Sequence, residues 1–451
     1  MEFRQHIART LTLGLPLVGS QVAQVLIGVT DTAMLGRYSV EALAAGTLGS
    51  TAFFTIYLLC SGFAIAVMSL ASDAAGREDE RSVRRAARMG LWLSVLAGLA
   101  LMPVLLASEP ILLALGQAPD IAEGAAAYLS IAAFGLIPAL IWTTFRSHLS
   151  ALERTRIVLW VTMAGVAVNI LLNWLFIFGN LGMPELGVQG AALASAGVQV
   201  TMGALLALYS AKGPDMARWD LFRNLQVFDQ EVFVRLARLG WPIGLTHVSE
   251  VGLFAAAALM MGALGTIELA AHGIAIQIAA AVFMVHLGLS QAATVRVGRF
   301  WGAADALGLR QAALSALVLS GIAVVLATAV YLGAGHFLIG LFLDRSEPDA
   351  PAILALGVTL LTYAALFQLV DALQVMALGF LRGMQDTRRP MIYAIAAYWI
   401  VGIPISYGLG FPGGMGPVGI WLGLVIGLSV AGIALIVRFW RMAPPVAPLP
   451  A

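Results

Sequence analysis

The chain has 451 residues, of which 60% are hydrophobic and only 11% are charged, and its formal net charge is +1. A soluble globular protein carries about 25% charged residues, so this chain has too little charge to cover a water-exposed surface, and we expect lipid to cover it. A single cysteine, Cys60, excludes an intramolecular disulfide framework and a cysteine-based metal site.

Polar breaks divide the chain into twelve long apolar runs. Each run is near or above the roughly 20 residues that a helix needs to cross a bilayer, and an open strand edge cannot face lipid. The fold class that we predict is therefore an all-α integral membrane protein of twelve transmembrane helices. In chain order the predicted helices are 8–36, 41–72, 84–107, 121–150, 157–179, 187–211, 232–262, 267–298, 308–336, 351–381, 390–411 and 417–440.

The basic residues test this helix count. Twenty-three of the 25 Lys and Arg residues fall at the N-terminus, in the even-numbered connections or after the last helix, and only Arg37 and Arg345 fall in the other connections. Because positive charge marks the cytoplasmic side, we expect both termini to be cytoplasmic. A wrong helix count would have scrambled this alternation.

The chain also contains an internal repeat. With an offset of 226 residues Pro16 aligns with Pro242 and Gly62 with Gly288, and the register holds without a gap over about 60 residues. Six helices per copy give both copies the same orientation, which predicts two six-helix lobes related by a parallel pseudo-twofold repeat, with a cavity between them. The predicted domains are an N-terminal lobe (1–211), a cytoplasmic inter-lobe linker (212–231), a C-terminal lobe (232–441) and a short C-terminal tail (442–451).

Three acidic residues lie well inside apolar runs: Asp31 in the first predicted helix, Glu250 in the seventh and Asp371 in the tenth. A charge at the bilayer centre costs roughly 2.5–3.5 kcal/mol on insertion scales, and no intramembrane Lys or Arg is expected to pair with these acids. They must be protonated, bind a cation or face water. An apolar surrounding favours the neutral acid and water favours the ionised form, which suits a group that alternately loads and releases a proton or a sodium ion.

The fifth predicted helix carries Asn169 and Asn173, four residues apart and therefore on one face. Asn173 lies at a depth similar to that of Asp31, so an aspartate with two asparagine oxygens is a candidate proton relay or hard-cation site. The alternative is that each asparagine only joins two helices. The acids are not repeated: under the repeat alignment Asp31 meets Ala257, and Glu250 meets Gln24.

Weaker candidates follow from the same helices. Side chains that could line a substrate cavity are Tyr57, Gln277, Phe283, Met284, His286 and Gln368. The prolines at matching positions, Pro16 and Pro242, are expected to kink the first and seventh helices and could act as hinges. A packing role is the alternative for each.

A phosphate-binding loop needs a lysine after its glycines, and the single lysine, Lys212, has no such context. The chain is therefore not expected to bind ATP in that way, and no enzyme motif is visible. If transport is active, its energy must come from an ion gradient or from the membrane potential.

Three motifs resemble a known family. They are the run of residues 29–36 around Asp31 (VTDTAMLG), the run 169–174 with both asparagines (NILLNW), and the run 383–390 after the tenth helix (GMQDTRRP). In this order and spacing they resemble the multidrug and toxic-compound extrusion (MATE) family, its NorM-like bacterial branch in particular, over essentially all twelve helices.

The resemblance implies an antiporter that exports organic cations and amphipathic drugs in exchange for inward protons or sodium ions. It matches family ion-coupling positions to Asp31, Asn169 with Asn173, Glu250 and Asp371, the residues that the depth argument selects. A sodium ion would then lie at Glu250 and Asp371, or at Asp31 with the two asparagines. Some relatives have a tyrosine in the eighth helix near the ion, where this chain has Phe283.

We therefore expect a multidrug efflux antiporter of a bacterial inner membrane that works by alternating access. The expected partners are small cationic or amphipathic substrates and membrane lipid, with no nucleic acid, no ATP, no cofactor beyond the coupling ion, and a monomeric state. A flippase for lipid-linked precursors uses a similar two-lobed fold but would favour basic residues in the cavity. A membrane-embedded enzyme or a channel fits the placement of the acids less well.

Overall fold

The computed structural model describes residues 2–214, 216, 218–344 and 346–445. In these ranges the regular structure is helical, without a strand. Arg345 and tail residues 446–451 lie outside the described residues. The α-helices are α1 (Phe3–Tyr38), α2 (Val40–Gly76), α3 (Glu80–Leu106), α4 (Ser108–Ala114), α5 (Pro119–Ala151), α6 (Thr155–Phe176), α7 (Val188–Lys212), α8 (Gln230–Leu264), α9 (Thr266–Gly302), α10 (Ala306–Gly340), α11 (Ala350–Gly383), α12 (Arg388–Ala396), α13 (Ile403–Gly410) and α14 (Gly416–Met442).

Twelve spans within the described residues are long and apolar enough to cross a membrane, which confirms the predicted count. The eleventh span, Arg388–Gly410, is continuous only through a π-helical turn, Ala397–Gly402, that joins α12 to α13. Pro404 follows this turn and has no N–H to continue the α-helical ladder, so a wider turn takes up the missing bond. The short helix α4 lies in a connection that the sequence pattern presents only as a loop.

The chain divides into two compact units, and the division falls inside α1 and α8. Unit 2 comprises Gly19–Leu245, and unit 1 comprises the chain up to Val18 together with the chain from Thr246 onward. Each unit has its own apolar core, with Trp142 fully buried in unit 2 and Trp421 fully buried in unit 1. The lobe limits 1–211 and 232–441 describe the sequence repeat and stay a prediction.

Glycines show why the first halves of α1 and α8 leave their own repeat. A β-carbon at Gly62 of α2 would overlap the backbone of Gly240 and Gly244 in α8, so these helices touch through their backbones in unit 2. In unit 1 a β-carbon at Gly288 of α9 would meet the backbone of Val18 in α1. Small residues that allow such close approach are a main source of helix association in membranes. Because Gly62 and Gly288 are repeat equivalents, each repeat's second helix holds the first half of the other repeat's first helix.

The two predicted hinge prolines lie close to these boundaries. Pro16 is inside α1, just before the boundary between Val18 and Gly19, and Pro242 is inside α8, just before the boundary after Leu245. A proline inside a helix removes one backbone hydrogen bond and weakens the ladder there. Bending at these points stays a prediction.

The connection between the repeats is folded onto α3 in unit 2. Arg84 donates a hydrogen bond of 2.7 Å to the carbonyl oxygen of Trp219, and Arg85 pairs with Asp229. The hydrogen bond from Arg85 holds the pKa of Asp229, which lies just before α8, below its ordinary value. The segment predicted as a linker, 212–231, is therefore an ordered part of this unit.

Candidate functional site

The first candidate site surrounds Asp31 in unit 2. The Oδ1 atom of Asp31 accepts hydrogen bonds from the Nδ2 atoms of Asn169 and Asn173, at 2.8 Å and 2.6 Å. The Oδ2 atom accepts a hydrogen bond of 2.8 Å from Ser195 Oγ. The spacing of the two asparagines on α6 brings both amides to one carboxylate oxygen, and α7 supplies the serine. The predicted grouping of Asp31 with the two asparagines is therefore present in the structure.

The orientation of the two amides differs from the expected one. The sequence suggested asparagine oxygens beside Asp31, whereas the structure places the amide nitrogens there. The physical reason is that an ionised carboxylate only accepts hydrogen bonds, so it selects the donor end of each amide. The Oδ1 atoms of Asn169 and Asn173 are buried and have no hydrogen-bond partner among the described residues. The cluster thus fits the cation-free, ionised form of Asp31.

Two members of this cluster were not found from the sequence. Ser195 lies in a run of alanines and glycines on α7, where one serine carries no signal of its own. Tyr128 of α5 is 5% exposed and lies within hydrogen-bonding reach of Ser195. Only the three-dimensional packing of α5 and α7 near α1 identifies them.

The second candidate site lies in unit 1, between α8 and α11. Gln374 Nε2 donates a hydrogen bond of 3.2 Å to Glu250 Oε1, and Gln374 lies one helical turn after Asp371. Glu250 is 9% exposed and Asp371 is 4% exposed. The two carboxylates are close enough to interact electrostatically. The structure thus brings together the two acids that the sequence placed in this lobe.

Several polar atoms of the second site have no partner among the described residues. They are Asp371 Oδ1, both amide atoms of Gln368, Gln374 Oε1 and the hydroxyl of Tyr398. A buried polar group without a hydrogen bond is costly, and such groups usually have an ion, water or proton as partner. This part of unit 1 therefore offers oxygen atoms to a small polar guest. Among the described residues no three His, Cys, Asp or Glu side chains form a metal-binding group, so a sodium ion here would also need amide oxygens.

One sequence expectation about this site is wrong. The acids were expected to have no intramembrane Lys or Arg near them, because Arg382 was counted as part of a cytoplasmic connection. The structure keeps Arg382 on α11 and 9% exposed, within electrostatic reach of Glu250. Its Nη2 atom is 3.4 Å from His247 Nε2. The helix continues beyond the predicted end and the long side chain folds back along it, which hydropathy does not reveal.

The remaining predicted residues lie in both units. Tyr57 is hydrogen-bonded to Thr143 at 2.8 Å. His286 is buried and its Nδ1 atom is 2.9 Å from Ser320 Oγ, so it has a structural contact of its own. Of the others, Gln277 is exposed, Phe283 and Met284 are partly buried, and Gln368 is buried. Their assignment to a substrate cavity stays a prediction.

Comparison with known proteins places the whole chain in one family. The family model described as MatE matches residues 16–175 and again residues 242–408. The two matches begin 226 residues apart, which is the offset of the internal repeat, and they confirm that the chain contains two copies of one unit.

Full-length relatives carry the same name. The chain is 44% identical over 446 residues to a "Probable multidrug resistance protein NorM" of Rhizobium meliloti (strain 1021), covering 99% of this chain and 96% of that protein. It is 39% identical over 434 residues to a protein of the same name from Agrobacterium fabrum, covering 96% and 93%.

Solved structures show the same fold. A MATE structure in complex with MaL6 matches with a TM-score of 0.88 at 21% identity, covering 97% of this chain and 96% of the other. The structure titled as the outward-facing conformation of a multidrug resistance MATE family transporter matches with a TM-score of 0.87 at 20% identity, covering 98% and 97%. The chain is a multi-pass membrane protein that belongs to the multidrug and toxic-compound extrusion (MATE) family of transporters.

Proposed function

We propose that this protein is a secondary active multidrug efflux antiporter. It exports organic cations and amphipathic drugs in exchange for protons or sodium ions, and it works by alternating access. The proposal includes the bacterial inner membrane as its location, with both termini cytoplasmic, and it needs neither ATP nor a resident cofactor.

The observation that carries the proposal is the presence of a buried carboxylate cluster in each unit. Asp31 accepts three hydrogen bonds on α1, and Glu250 and Asp371 lie together between α8 and α11. Intramembrane carboxylates are rare and mark ion pathways and proton relays. The names of the full-length relatives add the substrate class, multidrug resistance.

The chemistry of the acids supplies the coupling. An ionised carboxylate attracts a cationic drug, and the same carboxylate loses that attraction once a proton or sodium ion neutralises it. Drug and ion therefore compete for one negative charge, and this competition is a coupling free energy between the two ligands. A cation gradient drives export when the acids load from outside and release inside.

A flippase for lipid-linked precursors is the second candidate, and the buried arginines are the observation in its favour, since a phosphate group needs basic partners. Arg382 contacts His247 in unit 1, and in unit 2 Arg146 Nη1 donates a hydrogen bond of 2.9 Å to Gln21 Oε1. Both guanidinium groups are thus already bound to protein side chains. This arrangement favours drug export over binding of a phosphate.

Ethidium movement in proteoliposomes tests the proposal. Purified protein is reconstituted, and an inward sodium gradient and an inward proton gradient are imposed in separate experiments. We expect ethidium export under at least one gradient, and the effective gradient names the coupling ion. No movement under either gradient, with protein shown to be folded, would contradict the proposal and favour the flippase.

A further inference from the structure

The two buried arginines make equivalent contacts in the two repeats. Arg146 on α5 donates to Gln21 on α1 within unit 2, and Arg382 on α11 contacts His247 on α8 within unit 1. Gln21 and His247 are 226 residues apart, so they occupy the same position of the repeat. Arg146 also lies over the ring of Trp142, with its Cζ atom 4.8 Å from the ring centroid. The same structural contact has therefore been built twice.

Both contacts hold the kinked helix just beyond the unit boundary. Gln21 follows the division of α1 after Val18, and His247 follows the division of α8 after Leu245. Arg146 is 5% exposed and Arg382 is 9% exposed. A buried arginine contact at this place fixes the second half of each helix to its own unit, and the second halves are the segments that carry Asp31 and Glu250.

The surroundings of the two contacts differ in charge. One turn beyond Gln21 is Gln24, which is neutral, whereas the equivalent position beyond His247 is Glu250. The Arg382 guanidinium and the Glu250 carboxylate interact electrostatically. The other titratable groups around Glu250 are Asp371 on α11, Tyr398 in the π-helical turn and His247 on α8 itself. Arg382 is the positive group of this cluster.

We propose that Arg382 is the resident counter-cation of Glu250 and that the coupling cation must compete with it. Arg382 is then a positioning residue that sets the cation concentration at which unit 1 loads. This inference rests on the proposed antiport. The formal charge of Arg382, Glu250 and Asp371 together is −1 when both acids are ionised, so one monovalent cation neutralises the cluster. The carboxylate that the arginine leaves uncompensated is Asp371.

The Arg382→Gln variant tests this role through the cation dependence of ethidium export. Without the arginine the two carboxylates attract the coupling cation more strongly, and we expect the half-saturating cation concentration to fall at least about tenfold, since one tenfold step corresponds to about 1.4 kcal/mol. Arg382→Lys keeps the charge and should stay near wild type. An unchanged half-saturating concentration in Arg382→Gln would overturn the proposal.

Two controls separate charge from packing. Arg146→Gln removes the equivalent contact in unit 2, where the neighbouring position is Gln24, so it should lower thermal stability without changing the half-saturating cation concentration. His247→Gln reproduces the arginine–glutamine contact of unit 2 inside unit 1 and should keep the wild-type cation dependence. A shift in either control as large as that of Arg382→Gln would also overturn the proposal.

A thermal-unfolding cycle keeps the inference testable without transport. Removing one partner of a buried ion pair leaves an uncompensated charge, whereas removing both is much less costly. We therefore expect the double variant Arg382→Gln/Glu250→Gln to melt at a higher temperature in detergent than Arg382→Gln alone. Additive effects of the two substitutions would contradict a resident ion pair. Loss of gradient-driven export in the wild type, with a clear non-additive cycle, would refute the antiport function and leave the pair standing.

Discussion

Substituting Ser195 by alanine perturbs the Asp31 cluster at a single atom. Ser195 Oγ donates the hydrogen bond of 2.8 Å to Asp31 Oδ2, while the two asparagines serve Oδ1. Alanine removes the hydroxyl and leaves the rest of the small side chain in place. The ionised carboxylate then loses one of its three donors.

The size of the effect follows from the charge of the acceptor. A hydrogen bond to a charged group contributes about 1.5–3 kcal/mol, and about 1.4 kcal/mol is a factor of ten in an equilibrium. The ionised form of Asp31 depends on this donor more than the protonated form does. For proton-driven ethidium export, we therefore expect Ser195→Ala to lower the half-saturating proton concentration roughly ten- to hundredfold.

The assay is ethidium export from proteoliposomes at a series of external proton concentrations. Ser195→Thr keeps the hydroxyl and is the matched control, for which we expect a wild-type dependence. A Ser195→Ala protein that is folded and shows the wild-type half-saturating concentration would refute the reasoning, because Asp31 would then not change its charge during transport.

Three further predictions concern the architecture, the connection and the second site. Gly62→Val should destabilise unit 2 by about 2–3 kcal/mol through overpacking against the α8 backbone, whereas Gly273→Val, whose β-carbon meets open space, should leave the melting temperature in detergent unchanged. Because the pKa of Asp229 is lowered by Arg85, the stabilisation is fully present above the ordinary aspartate range and is lost only as pH falls through the lowered pKa. Hydrogen-exchange protection of 218–229 should therefore be steady between about pH 5 and about pH 8 and should fall in Arg85→Gln at any of these pH values; equal protection in the variant would contradict this. Asp371→Asn should abolish gradient-driven ethidium export, and intact export would contradict a coupling role for this acid.

Most of the helical architecture could be predicted because it follows from hydropathy and charge. Each transmembrane span must be apolar over its length, and the basic residues alternate with the connections, so both signals are local in the sequence. The offset of 226 residues between Pro16 and Pro242 likewise needs only self-comparison. The exchanged first halves of α1 and α8 could not be predicted, because they depend on which glycine meets which distant backbone, as Gly62 meets Gly240.

The acids of the candidate site could be predicted because a carboxylate inside an apolar run is conspicuous. Asn169 and Asn173 followed from helical spacing. Ser195 could not be found, since a serine among small residues is common in membrane helices. Arg382 was assigned to the wrong surroundings, because its position near the end of α11 says nothing about whether its side chain folds inward toward Glu250 or outward to water.

Competition between drug and cation at equilibrium tests the central claim most directly. Ethidium binding to the purified protein in detergent is titrated at increasing concentrations of proton and, separately, of sodium. If both ligands use the buried carboxylates, the dissociation constant of ethidium rises with the concentration of the coupling cation, and ethidium weakens cation binding by the same factor. Ethidium binding that is independent of both cations would contradict the account.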